Sequence, residues 1–364
     1  MHPSPVSGAF RPAFSVRRLF GWLALAAACA ATPVSAQTAW IGHRGPENVL
    51  RINTATDTVV AGTAPVGNNP YGLLATPTRV YVTNLGSDTV TVIDAATATV
   101  ITTVNVGVQP FGLAISPDGT RLFVANQASQ TVSVINTATN AVVSTLTGGN
   151  RAAGVVVSSD GATLYIANEL GNTVTARTIA TNALVATYTG FSGPKQIALS
   201  PDGLTAYVPN YSANTVSVLT LAGGAVTTVP VGTGPWGITR SPDGSAIYVS
   251  NFSAGTVSRI ATANNAVTTV AAGTGPIGVS TTPDGSKLYV ANQNSSNVSV
   301  FNATTMALIT TIGVSPGPVS MGQFIAPAAA PAPVPTMSEW AMILFGLILA
   351  GGAALYIQRR RLAA

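Results

Sequence analysis

Short runs of alternating apolar and polar residues follow one another along most of the chain. Residues 112–146 show the pattern, with the runs GLAISP, RLFVAN, TVSVIN and AVVSTL separated by turn residues such as Pro, Asp, Gly, Asn and Ser. A period of two residues is typical of β-strands with one buried face, and such turns join the strands of hairpins. The body of the chain sustains no 3.6-residue period, so the pattern predicts an all-β domain and excludes a helical solenoid.

The four-strand unit recurs seven times. An aromatic residue in the second strand marks each unit, and successive markers are 41 or 42 residues apart: Trp40, Tyr81, Phe123, Tyr165, Tyr207, Tyr248 and Tyr289. Seven such units predict a seven-bladed β-propeller. The first unit begins at its second strand, and residues 317–325 form an inner-type strand with no unit after it. We therefore expect the last strand to complete the first blade and close the ring.

Phrases within the units resemble a known family. The sequence YVTN at residues 81–84, the tripeptide Pro-Asp-Gly at four hairpins and the phrase TVSVI are similar to the YVTN family of β-propeller repeats, found in secreted and cell-surface proteins. The resemblance covers residues 40 to about 324. It implies an exported propeller. Some related-looking propellers are lactonases that hold a divalent metal with carboxylate and Asn ligands, so the resemblance also leaves a hydrolase open.

The first 36 residues have the layout of a secretory signal peptide. Arg17 and Arg18 precede the apolar run LFGWLALAAACAA, and small residues follow up to Ala36. This order predicts cleavage by signal peptidase after Ala36 and export of a mature chain without cysteine. In the alternative, Cys29 would be a lipidated N-terminus.

The last 39 residues predict an anchor. A Pro/Ala-rich linker spans residues 326–335, and the uncharged apolar run of residues 341–357 precedes Arg359, Arg360 and Arg361. Such a run can span a bilayer as a helix, and the arginines would then face the cytoplasm. The predicted domain order is a signal peptide (1–36), a propeller (37–325), the linker, and a sorting motif with a transmembrane helix and an Arg-rich end (336–364).

The residues before the apolar run resemble a bacterial sorting signal. Val334-Pro335-Thr336-Met337-Ser338-Glu339-Trp340-Ala341 is similar to the Ile-Pro-Thr-Leu-x-x-Trp-Gly signature, with Val, Met and Ala at three of its positions. The resemblance implies an exosortase-like protease that reads Pro335, Thr336 and Trp340 and removes the helix. It places the protein at the envelope or surface of a Gram-negative-type bacterium, anchored in the inner membrane before processing.

The net charge of +5 comes from the two ends of the chain. Between residues 37 and 335 ten Lys or Arg balance ten Asp or Glu, and no basic stripe is present. This composition excludes a nucleic-acid binder.

Catalytic, metal-binding and cofactor-binding patterns are not found in the sequence. His43, the one histidine of the mature chain, takes the place of an Asn that recurs in the other units, and we interpret it as a polar strand end. The recurring Asn is expected to bond backbone groups of its loop, and the Asp of each Pro-Asp-Gly to shape a hairpin. We therefore predict no catalytic residue, no metal ligand and no cofactor.

The loops before the inner strands carry the candidate ligand site. They read NPY (69–71), QPF (109–111), GNR (149–151), GPK (193–195), GPW (234–236) and GPI (275–277), and share a face with loops that add Glu169, Tyr211 and Phe252. The predicted binding residues at this channel mouth are Arg151, Lys195, Trp236, Tyr71 and Phe111. We expect the first three to be exposed. For Tyr71, Phe111 and Ile277 the favoured interpretation is packing between blades.

Two classes of function follow. The first is a non-catalytic binding or display module of the cell envelope, with a glycan or anionic envelope polymer as partner. The second is a lactonase-like hydrolase that uses the channel. The inner-strand phrases GLAISP, GVVVSS, QIALSP, GITRSP and GVSTTP contain no acidic residue. We therefore favour binding over catalysis, since the fold alone does not decide between them.

Overall fold

A computed structural model describes residues 37–326 as seven four-stranded antiparallel sheets arranged in a ring. Those residues contain no helix. The predicted all-β, seven-bladed propeller is confirmed. The predicted signal peptide, the linker beyond residue 326 and the C-terminal sorting region lie outside the described residues.

The strands of blades 1 to 4 are β1 (Thr38–His43), β2 (Asn48–Asn53), β3 (Thr58–Pro65), β4 (Pro70–Ala75), β5 (Arg79–Asn84), β6 (Thr89–Asp94), β7 (Val100–Asn105), β8 (Pro110–Ile115), β9 (Arg121–Asn126), β10 (Thr131–Asn136), β11 (Ala141–Thr147), β12 (Ala152–Val157), β13 (Thr163–Asn168), β14 (Thr173–Thr178) and β15 (Leu184–Tyr188). Those of blades 5 to 7, with the closing strand, are β16 (Ala198–Leu199), β17 (Thr205–Asn210), β18 (Thr215–Thr220), β19 (Val226–Pro230), β20 (Pro235–Arg240), β21 (Ala246–Asn251), β22 (Thr256–Ala261), β23 (Val267–Ala271), β24 (Pro276–Thr281), β25 (Lys287–Asn292), β26 (Asn297–Asn302), β27 (Leu308–Gly313) and β28 (Pro318–Val319).

Blade 1 is built from both ends of the described chain, with the strand order β28-β1-β2-β3. Val319 pairs with Gly42, and the amide of Trp40 donates to the carbonyl of Phe324 at 2.9 Å. The chain between these contacts also reaches blade 2, where the amide of Leu73 donates to the carbonyl of Met321 at 2.9 Å. The closure predicted from the missing first strand is therefore confirmed, and the closing segment joins two blades.

A polar contact fastens the seam between blades 7 and 1. Lys287 Nζ lies 2.7 Å from a carboxylate oxygen of Asp57, and the Tyr289 hydroxyl donates to the other oxygen of the same carboxylate. Burial raises the pKa of Tyr289, and Asp57 raises it further. Because the phenol stays protonated, it remains a donor across the seam.

The hydrophobic core lies between neighbouring blades. One cluster, for example, joins Tyr81, Val90 and Val92 of blade 2 to Leu122 and Val124 of blade 3. Each sheet therefore buries apolar side chains on both faces, and its outermost strand stays exposed, as in β11 and β23.

The ring has two faces. The loop face carries the loops between blades and the loops between second and third strands, and the inner strands begin there. The turn face carries the Pro-Asp-Gly hairpins at the opposite ends of the inner strands. Both ends of the described chain lie at the turn face, since Gln37 accepts a bond from Thr54 and Ile325 bridges to Ala39.

Candidate functional site

The channel mouth on the loop face is shaped by bulges in the inner strands. In blade 2 the pairing of β4 with β5 passes from Pro70–Asn84 to Leu73–Val82, so one extra residue is accommodated at the bulge. A Cβ on Gly72 would lie 2.1 Å from the carbonyl oxygen of Phe111 in the next blade, so neighbouring inner strands touch there. The residue before that glycine is turned towards the mouth.

These bulged residues form an apolar floor. Tyr71 and Phe111 stack with ring centroids 4.4 Å apart, and Ile277, Val319 and Met321 belong to the same buried cluster. The packing expected for Tyr71, Phe111 and Ile277 is what the structure shows. With 6% and 4% exposure, Tyr71 and Phe111 could serve a ligand only as the floor of its site.

Lys195 is buried, which corrects the expectation that it is exposed. Its ammonium lies 2.6 Å from Glu169 Oε1, 4.2 Å from the ring centroid of Trp236 and 4.8 Å from that of Tyr211. The ion pair offsets part of the cost of removing the ammonium from water, and the aromatic faces add cation–π attraction. Burial nevertheless lowers the pKa of Lys195. Trp236 and Tyr211 therefore form an aromatic cage, and the Lys195 ammonium occupies it.

Blade 5 is distorted where Lys195 enters the cage. Gln196 stands where most blades have glycine, and the regular pairing of β16 is reduced to Ala198–Tyr207 and Leu199–Ala206. The Gln196 side chain accepts a hydrogen bond from the amide of Ile238 at 3.0 Å, which ties blade 5 to blade 6. The Gln196 side chain requires more room than a glycine would. The inner strand of blade 5 is therefore irregular next to Lys195.

Arg151 is exposed, as expected, but its position in the repeat differs from the prediction. The residue of blade 4 that corresponds to Tyr71 is Ala153, just before Gly154. Arg151 corresponds to Asn69 and, like it, has a positive φ, of 59°. Its side chain is 46% exposed, and its Nε lies 3.5 Å from Glu169 Oε2. Arg151 therefore lies at the rim beside the Lys195–Glu169 pair.

Trp236 is half-buried and makes the aromatic side of the site. Its ring lies 5.1 Å from that of Tyr211, in an edge-on arrangement, and 5.4 Å from that of Phe252. Its indole nitrogen has no hydrogen-bond partner within residues 37–326. The expected exposure of Trp236 is therefore only partial.

Arg44 belongs to the same mouth and was missed at the level of sequence. Its guanidinium carbon lies 5.0 Å from the centre of the Tyr71 ring, and its Nε donates to Asn69 Oδ1 at 2.5 Å. Arg44 follows His43 as Glu169 follows the recurring Asn of blade 4. The alignment of His43 with that Asn could have identified Arg44, because the residue after the recurring Asn lies on the loop face.

Charged groups of two blades act on the Tyr71 phenol. Burial raises the pKa of Tyr71, and the strongest charges acting on it are Arg44, Glu169 and Arg151 in that order. The three groups come from blades 1 and 4. With Lys195, the mouth and its rim hold three cations and one carboxylate.

The recurring Asn bonds side chains of its own blade, and within residues 37–326 the expected bond to backbone is present only in blade 5, where Asn210 Oδ1 accepts from the Ser192 amide at 3.2 Å. In blade 2, Asn84 Nδ2 donates to the hydroxyls of Thr89 at 3.0 Å and Thr91 at 2.9 Å, rather than to backbone. Blades 3 to 7 repeat this pattern with their own side chains. Blade 1 has Leu50 at the position of Thr91, which has no hydroxyl to accept such a bond. His43 fills the place instead, is fully buried, and has its pKa lowered to about 4 by burial.

The Asp residues of the hairpins are engaged within their own turns. Asp118 accepts from the Ser116 hydroxyl at 2.5 Å and from the Thr120 amide at 3.0 Å, and these bonds lower its pKa to about 2. Within residues 37–326, no three His, Cys, Asp or Glu side chains are grouped closely enough to hold a metal ion.

The residues of the predicted sorting motif, Pro335, Thr336, Trp340 and Arg359 to Arg361, lie outside the described residues, as does the apolar run 341–357. In the part of the chain that the structure covers, no helix is long and apolar enough to cross a membrane.

Three family models match parts of the chain. Residues 82–251 match the choice-of-anchor I domain, residues 185–318 match the 7-bladed β-propeller lactonase family, and residues 332–361 match the IPTL-CTERM motif. The tail resemblance is thereby confirmed. None of the three is the YVTN family, so that resemblance stays a prediction. A search of curated proteins found no match.

Solved structures share the fold at low sequence identity. Hydrazine synthase of Kuenenia stuttgartiensis is 23% identical over 69% of this chain and 88% of its own, with a TM-score of 0.63. The periplasmic gluconolactonase of Pseudomonas aeruginosa is 21% identical over 80% and 99%, with a TM-score of 0.66. A putative 6-phosphogluconolactonase of Bacteroides uniformis is 20% identical over 79% and 99%, with a TM-score of 0.67. These similarities establish a propeller fold, while activity has to be argued from the site.

Proposed function

We propose that the protein is an exported envelope propeller that binds an anionic glycan or polymer at its loop-face mouth without catalysis. One observation carries the proposal. Arg44 lies over the ring of Tyr71, and Arg151 lies beside Glu169, whose partner Lys195 packs on the rings of Tyr211 and Trp236. Charged residues make up only 7% of the chain. In such a neutral setting a few charges dominate the local field.

The chemistry of this mouth suits sugar acids. A guanidinium donates paired hydrogen bonds to a carboxylate, and half-buried aromatic rings offer flat apolar surface to the ligand. Lys195 is already held by Glu169, so it supports the site from beneath and is not the group that reaches the ligand. Arg151, which is exposed, and Arg44, which is half-buried, take that role.

The ends of the chain support a display function. Ala326, the last described residue, packs against the core near Ile325, which is bridged to Ala39 at the turn face. The tail therefore starts from the face opposite the proposed binding mouth. A propeller held through this tail would present the mouth away from its attachment.

Export and sorting complete the proposal. Signal peptidase would cleave after Ala36, and residues 341–357 would hold the protein in the inner membrane until an exosortase-like protease removes them. The IPTL-CTERM match at residues 332–361 supports export and sorting to the surface.

The proposal is tested by screening the purified protein against an array of neutral and acidic glycans. We expect binding to the acidic members only, and weaker binding as salt increases, because exposed charge pairs are screened. Equal binding to neutral members, or no binding at all, would count against it.

A lactonase-like hydrolase is the second candidate, favoured by the family match at residues 185–318. Such an enzyme would need metal ligands in its channel. Metal analysis of the purified protein, followed by a lactone hydrolysis assay, separates the two candidates. A stoichiometric divalent ion together with turnover would replace the binding proposal.

A further inference from the structure

The opposite mouth of the channel, on the turn face, has a second candidate binding site. A cavity of about 230 Å³ lies between the inner strands and adjoins one of about 260 Å³ between blades 6 and 7. Thr239, Arg240 and Gln323 line both cavities. The pair is large enough for a small organic molecule.

The walls of this double cavity are mainly apolar on one side and mainly polar on the other. Blades 2 to 5 contribute the apolar side chains of Leu74, Ile115, Val156 and Leu199, together with Gln196, whose Oε1 is bonded by the Ile238 amide. Blades 6, 7 and 1 contribute Thr239, Arg240, Ser280, Thr281 and Gln323, which are polar. A ligand matched to both halves has an apolar body and one polar end.

The polar half has unused donors. Ser280 is 1% exposed and lines the cavity, and its hydroxyl has no hydrogen-bond partner within residues 37–326. A buried hydroxyl without a partner is costly, so a ligand that bonds it is stabilised. Arg240 is exposed, and the bond that its side chain makes within the described chain is one of 3.3 Å from Nη1 to the carbonyl of Pro242.

The charge of the site indicates a monoanion. No carboxylate of residues 37–326 lies within 4.0 Å of the Arg240 nitrogens, and the Asp side chains of the neighbouring hairpins do not line either cavity. One guanidinium with neutral donors balances one negative charge. A carboxylate fits this arrangement better than a phosphate, which would bring nearly two charges.

We propose that the turn-face mouth binds a small carboxylate with an apolar body, with Arg240 and Ser280 at the carboxylate and Leu74, Ile115 and Leu199 around the body. This site is separate from the loop-face mouth and does not rest on the function proposed there.

Calorimetric titration of the purified protein with three probes tests the proposal. Phenylacetate has both features, phenylacetamide is its neutral isostere, and acetate has no apolar body. We expect phenylacetate to bind at least about tenfold more tightly than either of the others. Phenylacetamide lacks the negative charge for Arg240, and acetate lacks the apolar body.

Two variants locate the site. Arg240→Gln should weaken phenylacetate binding about tenfold and leave phenylacetamide unchanged. Ser280→Ala should weaken binding of phenylacetate without lowering the melting temperature, because it removes a buried hydroxyl that has no partner. The matched control Arg121→Gln removes an exposed cation of the same face outside both cavities and should bind as the wild type does.

The proposal is overturned if phenylacetate fails to bind at millimolar concentration, if the three probes bind alike, or if Arg240→Gln and Arg121→Gln behave alike. Because folding is followed by the melting temperature of each variant, lost binding in a folded variant cannot be attributed to unfolding.

Discussion

The ammonium of Lys195 and the carboxylate of Glu169 lie 2.6 Å apart and join blade 5 to blade 4 beneath the loop-face mouth. Their side chains are 6% and 13% exposed. Removing one partner of such a pair leaves an uncompensated charge, whereas removing both does not.

We therefore predict that Glu169→Gln lowers the free energy of unfolding by about 3 kcal/mol, and that adding Lys195→Met to it recovers most of that loss. Urea unfolding of the two single variants and the double variant measures the coupling. If Glu169→Gln unfolds at the same urea concentration as the wild type, the pair has no structural role.

A pH-dependent stability is expected from His43. Its folded pKa, about 4, lies below its usual 6.5, so below pH 6.5 the unfolded chain binds a proton that the folded chain does not. Stability should therefore fall as the pH decreases from about 6.5 to about 4, by up to about 3 kcal/mol.

His43→Asn provides the matched control for this effect. Its amide could donate to Asn48, as Asn292 donates to Asn297 in blade 7. We expect the variant to lose the pH dependence of unfolding above pH 4.5. A wild-type protein whose melting temperature is constant from pH 7 to pH 4.5 would contradict the assignment.

Closure of the ring should depend on the segment after β28. Phe324 is fully buried in the core cluster of blade 1, and its replacement by Ala should cost about 3–5 kcal/mol. Leu170→Ala, at a position that is 59% exposed, is the control and should change little. Truncation after Ser315 should lower the melting temperature further and promote aggregation, because sheet edges become exposed. A truncated protein that melts as the intact one does would refute this closure.

Processing of the tail can be followed by mass. If the motif is read by a sorting protease, protein extracted from cells should end near Pro335 to Trp340, and Trp340→Ala should retain the residues up to Ala364. Intact-mass measurement of both proteins decides the matter. A wild-type protein that keeps Arg359 to Arg361 on most molecules would show a simple anchor.

The sequence predicts the fold well because every unit repeats the same local chemistry. Strand alternation, hairpin residues and the 41- or 42-residue spacing all agree, and the incomplete first unit predicts how the ring closes. The seam contact between Tyr289 and Asp57 was not predicted, since those residues are far apart in sequence and belong to different parts of their units.

The site was predicted only in part, because burial of a charge depends on partners from other blades. Lys195 was expected to be exposed as a single cation, but Glu169 and the faces of Trp236 and Tyr211 come together around it only in the folded ring. Arg151 was assigned to the wrong position because blade 4 lacks the proline that marks the other loops. Ala152 takes its place.

The central claim, that the loop-face mouth binds acidic glycans, is tested most directly by the affinity of the purified protein for a polyuronic acid. The double variant Arg44→Gln/Arg151→Gln is compared with the charge-matched variant Arg79→Gln/Arg121→Gln, whose two arginines lie on the turn face outside both cavities described there. We predict binding that weakens with salt and that falls at least about tenfold in the loop-face variant alone. Equal affinity in the two variants, or binding insensitive to salt, would contradict the account.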